Sequence, residues 1–320
     1  MAINTKVIKG RIKSIKNTKK ITRAMQMVSA AKMRRAVEAA LNTRTYATMV
    51  NDLLTNLAES ENIAHPLLEE RPVKNILVLT ISSNRGLCGS FNSSVAQKLT
   101  SFYESITEAY SGVSITDFEN NEPADKPGID IIAIGKKAAE ASRRIGLPVT
   151  ALYEKMAENP TYEEVMPITK MITDGFLSKK YDQVFVIYTN YVSALSQTTE
   201  ARQILPVSQE VAQQMIDSAG QDSDNVDVEV PTFQNREYLL EPMRSSVLSY
   251  VIPRVLEMQV YQSILESAAS EHSSRMIAMK SASDAAGDLI DDLTLEFNKA
   301  RQAAITQEIS EIVGGAGALN

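Results

Sequence analysis

Arg11-Ile-Lys-Ser-Ile-Lys-Asn-Thr-Lys-Lys-Ile-Thr-Arg-Ala-Met-Gln-Met-Val-Ser-Ala-Ala-Lys-Met-Arg-Arg35 holds neither proline nor glycine, and its Ala, Met, Lys and Arg are strong helix formers. The same character extends outward to Ile3 and Ala58, with no proline and a single glycine, Gly10, in the whole stretch. One long helix is the expectation. Apolar residues recur three and four apart, at Ile8, Ile12 and Ile15 and again at Ile21, Met25 and Val28, with the small residues Ala24, Ser29, Ala30 and Ala31 between them. Small side chains admit a close partner. Pro66, after His65, removes a backbone donor and ends the run.

The other end of the chain mirrors this. From Met243 to Val313 apolar positions return at Val247, Val251, Val255 and Met258, then at Met276, Met279, Leu289, Leu293, Phe297, Ala300, Ala304, Ile309 and Ile312. Gly314-Gly-Ala-Gly-Ala-Leu-Asn320 reads as its stop, Pro253 as a place for a kink, and Gly287 as a helix position weakened by ~1 kcal/mol against alanine. At 1.5 Å per residue the second helix would span on the order of 100 Å and the first roughly 80 Å. Helices that long need a partner along their length, and the most economical one is the other terminal helix. Charge agrees. Residues 1–37 carry eleven Lys/Arg and no acid, whereas residues 243–313 carry ten Asp/Glu against six Lys/Arg.

Between the helices the period changes. Lys74-Asn-Ile-Leu-Val-Leu-Thr-Ile81 is a short apolar run of the buried-strand type, followed by the turn Ser82-Ser-Asn-Arg-Gly-Leu-Cys-Gly89 and a helix to about Tyr110. A second strand at Ile129–Gly135 leads into a helix at Lys136–Arg144, and a third at Gln183–Thr189 follows a helix at Tyr162–Leu177. Shorter runs at Val149–Leu152 and Gln203–Val207 are candidate additional strands. Alternating β and α segments predict a small, mostly parallel sheet with helices on its faces. Glu119–Gly128 is a polar loop, and Ser218–Asp227 is acidic and poor in apolar residues.

Composition narrows the chemistry. The 320 residues suffice for about two domains, and 44% hydrophobic with 22% charged residues is ordinary for a folded protein. No run approaches the roughly 18 apolar residues of a membrane span, and Met1-Ala-Ile-Asn-Thr-Lys6 lacks a secretory signal, so residence inside a cell, without membrane insertion, is expected. One cysteine, Cys88, excludes an internal disulfide, and two histidines, His65 and His272, make a His-based metal site improbable. Gly86-Leu-Cys-Gly-Ser90 has the outline of a nucleophile elbow, but its closing glycine is replaced by Ser90 and no base lies nearby in sequence. Neither phosphate-loop pattern, GxGxxG or GxxxxGK[ST], occurs, so this loop is read as a structural turn. Asp288, Asp291 and Asp292 are read as a solvated or partner-facing stripe rather than metal ligands.

Four motifs in order resemble one family, the gamma subunit of rotary ATP synthases: Arg11–Arg35, Ser82–Asn92, Ser270–Lys280 and Asn298–Ala316. Asn84 stands where many members carry aspartate. The resemblance implies an α/β fold class, an antiparallel coiled coil of long N- and C-terminal helices with a central Rossmann-like α/β domain. It divides the chain into residues 1–65, 73–215, an acidic linker and foot at 216–242, and 243–320. It further implies a non-catalytic rotor shaft without catalytic residues, cofactor or metal, inside a hexamer of alpha and beta subunits, with an epsilon subunit and a membrane c-ring as further partners. By the same resemblance, Lys19, Lys20, Arg23 and Met25 face the acidic lever loop of the catalytic subunits, with Cys88 in the nearby loop. Arg275, Gln302, Thr306 and Glu308 would contact the hexamer further along, and Tyr238, Leu240 and Glu241 would form the foot on the membrane ring. Leu240 falls where some relatives carry tyrosine. With no second cysteine, the thiol switch of the chloroplast type is excluded. The expected place is the cytoplasmic face of a bacterial inner membrane, peripheral to it. Two rivals stand beside this reading. The basic N-terminal helix could bind nucleic acid, although no aromatic residue occurs before Tyr46 to provide stacking. The other rival is a cysteine-dependent hydrolase.

Overall fold

A computed structural model describes residues 5–58, 65–111, 127–157, 160–206 and 244–317. The expected polar loop, apart from its last residues, the acidic segment Ser218–Asp227 and the foot residues Tyr238, Leu240 and Glu241 lie outside them. Two compact units emerge, Met1–Ala31 with Arg275–Asn320, and Lys32–Ser274. The division cuts through both long helices.

The α/β unit contains β1 (Asn75–Ile81), α2 (Phe91–Ser111), β2 (Gly128–Ile134), α3 (Lys136–Arg144), β3 (Val149–Tyr153), α4 (Tyr162–Leu177), β4 (Gln183–Tyr191) and β5 (Gln197–Leu205). The sheet order is β3-β2-β1-β4-β5. The first four strands run parallel and β5 returns antiparallel to β4. Both short candidate strands are real. β5 begins earlier than its apolar run because Gln197–Arg202 forms a half-exposed sheet edge, where polar residues suit a strand as well as apolar ones.

The sheet is covered on both faces. Leu77, Leu79, Ile132, Val184 and Val186 pack with Ile168, Ile172 and Phe176 of α4 and with Ile252, Leu256, Val260 and Ile264. These last four belong to α5 (Arg244–Gly317). The alternate residues Ile76, Val78, Ile131 and Ile187 pack with Val95 and Leu99 of α2 and Ala138 of α3. β1, the central strand, is buried on both sides, hence its largely apolar sequence, in which Thr80 is the one buried polar residue. α5 passes through Pro253 without interruption.

The other unit is built from the first part of α1 (Thr5–Ala58), up to Ala31, and the part of α5 from Arg275 on. Along α1 as far as Ala30, Thr5, Ile8, Ile12, Ile15, Lys19, Thr22, Gln26 and Ser29 are buried or half-buried and alternate three and four apart, with Met25 and Ala30 half-buried beside them. Along α5 the corresponding positions are Met276, Met279, Ser283, Ala286, Ile290, Leu293, Phe297 and Ala300, with the same alternation. That 3.5-residue period is the coiled-coil seam. Lys19 Nζ lies against Gly287, where a Cβ would approach it to 2.7 Å. Lys19, on the α1 stripe, thereby meets α5 next to Ala286 of the other stripe. The expected pairing of terminal helices is present, but its apolar stripe is corrected. Ile21 and Val28 are 60% and 57% exposed, because the heptad phase set by Ile8, Ile12 and Ile15 lands instead on Lys19, Thr22, Gln26 and Ser29. Leu289 is likewise outside the seam and exposed.

Candidate functional site

Three local arrangements decide what this chain can do. At the carboxyl end of β1, Ser82–Ser90 sits where parallel α/β sheets commonly bind nucleotides, using the free N–H groups of a helix N-terminus. Here those donors are occupied. Lys136 N donates to Asn84 Oδ1 at 3.1 Å, Lys137 N to the Ser83 carbonyl at 3.1 Å, and Ala138 N to Ser82 Oγ at 2.5 Å. Asn84 also donates from Nδ2 to the Glu154 carbonyl at 2.6 Å, a bond that an ionised aspartate in its place could not make. Gly135, the residue before α3, has φ 89°, and a Cβ there would lie 2.3 Å from the Ser82 carbonyl oxygen. The protein's own loop thus fills the α3 anion site.

Cys88 is 2% exposed. Asn92 Nδ2 donates to its sulfur at 3.1 Å, and the thiol faces Ser83 Oγ and the Arg85 carbonyl, each at 3.8 Å. No general base is among these groups, and His65 is committed elsewhere. His65 caps the turn Pro66–Leu68, its Nδ1 accepting from Leu67 N at 3.2 Å, while burial lowers its pKa; His272 is buried in α5. The hydrolase reading fails on this geometry. Within the loop where Cys88 was expected to lie near the catalytic subunits, the thiol faces inward. What the loop exposes is Leu87, 64% accessible and held at φ 63°.

The third arrangement is the helix pair. Lys20 and Arg23 are exposed, Met25 is half-buried, and Lys19 reaches across the seam to Gly287. Lys19 therefore separates from the residues with which sequence grouped it. On α5, Arg275 is half-buried, whereas Gln302, Thr306 and Glu308 are exposed. Thr306 Oγ1 donates to the Gln302 carbonyl of the preceding turn at 3.0 Å. From Arg301 to Val313 every residue is exposed, including Ile305, Ile309, Ile312 and Val313, the last two at 72% and 66%. Spacings of four and three put Ile305, Ile309 and Ile312 on one helix face. No helix among the described residues is long and apolar enough to cross a membrane, and no group of three or more metal-ligand side chains occurs among them.

Sequence reasoning missed two buried polar groupings. Tyr188 hydrogen-bonds Glu200, which Arg202 pairs at 2.7 Å; burial pushes the phenol far above its ordinary pKa. Ser267, Ser270, Ser273 and Ser274 bond β4 and the turn after it. The three-residue serine spacing was the available signal for the second.

Fold and site together define an α/β protein flanked by long terminal helices, with the helix N-terminus at the carboxyl end of its sheet filled by its own loop. A family model described as ATP synthase matches residues 4–319. The chain is 40% identical over 319 residues to an ATP synthase gamma chain of Dehalococcoides mccartyi and 38% identical over 320 residues to one of Chloroflexus aurantiacus, each alignment covering 99% of both chains. The chain belongs to the ATP synthase gamma-chain family. Its fold is also that of a chain in the Euglena gracilis mitochondrial ATP synthase, with TM-score 0.62, 18% identity and coverage of 98% and 94% of the two chains.

Proposed function

We propose that this chain is the central rotor shaft of an F-type ATP synthase, transmitting torque between a membrane ring driven by ion flow and a catalytic hexamer of alpha and beta subunits. The observation that carries the reading is the exposed α5 segment beyond the helix seam, with Ile305, Ile309, Ile312 and Val313 uncovered. Exposed apolar residues gathered on one helix face call for a surrounding surface. An apolar sleeve supplies one without directional bonds, so the helix can turn within it.

Torque transmission then follows from asymmetry. Each angular position of the shaft presents a different face to otherwise equivalent catalytic subunits and favours one of their conformations by differential contact. Exposed Lys20 and Arg23 would face the acidic lever loop, with Met25 beside them, and Gln302, Thr306, Glu308 and Arg275 would contact the hexamer elsewhere. Exposed ion pairs of about 0–1 kcal/mol suit a turning interface, because deep traps would stop it. The shaft itself is non-catalytic and needs no cofactor. Tyr238, Leu240 and Glu241 would meet the membrane ring, and an epsilon subunit would join the same rotor. The protein would lie at the cytoplasmic face of a bacterial inner membrane without entering it. The relatives lend no support to nucleic-acid binding by the basic helix.

The test is reconstitution of the complex in vesicles with Lys20→Glu/Arg23→Glu. Coupled ATP synthesis is expected to fall more than ATP hydrolysis while the chain still folds. Undiminished coupled synthesis, or a wild-type chain that does not co-purify with an ATPase, would refute the proposal.

A further inference from the structure

α5 is buried from Ser263 to Ser273, yet that stretch includes four serines, two glutamates and a histidine. An apolar helix would be the ordinary solution for such a position, and the hydroxyls show why it was not used. β1 pairs with β4 only as far as Ile187. Two residues on, Thr189 N donates to Ser267 Oγ at 3.1 Å, and Ser270 Oγ donates to the Thr189 carbonyl at 3.2 Å. Two serines one helical turn apart thus satisfy the donor and acceptor of one strand residue beyond the end of its parallel neighbour. The line continues along the helix. Ser273 Oγ donates to the Ala194 carbonyl at 2.7 Å and Ser274 Oγ to Gln197 Oε1 at 2.8 Å, both at the turn joining β4 to β5. That turn is itself ordered, with Ser193 Oγ accepting from Ser196 N at 3.0 Å and Gln197 Nε2 donating to the Ala194 carbonyl at 2.9 Å.

We propose that Ser267, Ser270, Ser273 and Ser274 are positioning residues that fix the rotational phase of α5 against β4 and its hairpin. Apolar packing is non-directional and lets a helix turn against a sheet at gradual cost. Hydrogen bonds are directional, and all four here lie on one stripe of the helix, so turning α5 by one residue breaks them together. Ser263 serves as the internal contrast, because its hydroxyl returns to the Gln259 carbonyl of its own helix. The functional consequence rests on the rotor reading: torque passing between α5 and the α/β domain would be resisted at this junction, and any play there would be lost to coupling.

Hydrogen exchange at the Thr189 amide of the full chain tests the junction directly. Ser267→Ala is expected to accelerate it roughly tenfold, Ser263→Ala and Ser267→Thr to leave it nearly unchanged. Unchanged Thr189 exchange in folded Ser267→Ala would overturn the proposal, whatever the protein's function. The second measurement uses the reconstituted complex. Ser267→Ala/Ser270→Ala, with the milder Ser273→Ala/Ser274→Ala as an alternative should the first misfold, is expected to lower coupled ATP synthesis several-fold more than ATP hydrolysis, with threonine restoring it. Equal loss of both activities, or loss of neither, would reduce the serines to a structural role and overturn positioning. Failure of the wild-type chain to assemble would instead strike the rotor reading, and Thr189 exchange would still decide the junction.

Discussion

His65 joins a titratable ring to a backbone bond. Its Nδ1 accepts from Leu67 N, so the neutral ring must carry its proton on Nε2, and Leu67 is a core residue, 1% exposed. Burial lowers the His65 pKa below its value in an unfolded chain, so the turn's stability is full above the unfolded pKa of about 6.5 and is lost as pH falls through the lower folded value. Protonation also removes the acceptor. The Leu67 amide is therefore expected to exchange faster, relative to neighbouring core amides, on acidification below about pH 6.5, and His65→Asn, which keeps an acceptor without titrating, should flatten that dependence. A pH-independent Leu67 in the wild type would contradict this. Gly135 makes a different residue-scale case. Its φ of 89° and the 2.3 Å approach of a Cβ to the Ser82 carbonyl oxygen involve backbone that cannot step aside, so Gly135→Ala should cost roughly 2–4 kcal/mol in denaturant melts.

Within single elements, sequence period and structure agree where side chains of one kind fill a face, and diverge where they do not. β1 was legible because burial on both faces leaves Ile76-Leu-Val-Leu79 as a continuous apolar run. The first part of the seam was legible because Ile8, Ile12 and Ile15 are all isoleucine. The rest was hidden by composition. Lys19, Thr22, Gln26 and Ser29 continue the seam with polar atoms, while Ile21 and Val28 lie outside it. The register therefore predicts opposite outcomes for two isoleucines. Ile8→Ala, 4% exposed, should cost about 2 kcal/mol or more, and Ile21→Ala, 60% exposed, less than about 0.5 kcal/mol, as read from thermal or denaturant unfolding. Similar losses for both would refute the seam. Gly287→Ala tests the same register from the other helix. The atom it would meet is the free end of a lysine, which can swing away, so the helix-propensity gain of up to ~1 kcal/mol should survive and the variant should be at least as stable as the wild type.

For the whole molecule, the sequence showed the order of elements, while the surfaces that stay uncovered depend on where one helix stops beside another. Nothing in Ala304, Ile309 or Ile312 distinguishes them by type from Leu293 or Phe297. Only their exposure in the structure does so, since every residue from Arg301 to Val313 is exposed. The expectation for Tyr238, Leu240 and Glu241, which lie outside the described residues, rests on family resemblance alone. The uncovered segment supports the last prediction. If Ile305, Ile309 and Ile312 serve the fold, Ile309→Asp/Ile312→Asp should lower the melting temperature of the isolated chain. If they serve a surrounding sleeve, that temperature should stay within the range of ordinary surface substitutions, about ±0.5 kcal/mol, because both residues are already in water. Burying a charge against an apolar sleeve would then carry the whole penalty, several kcal/mol, at assembly. The expected result is a stable chain that fails to assemble or to support ATP synthesis in reconstituted vesicles, and Ile309→Leu/Ile312→Leu should restore both. A destabilised isolated chain, or full synthesis by the double aspartate, would show that this face does not meet a sleeve.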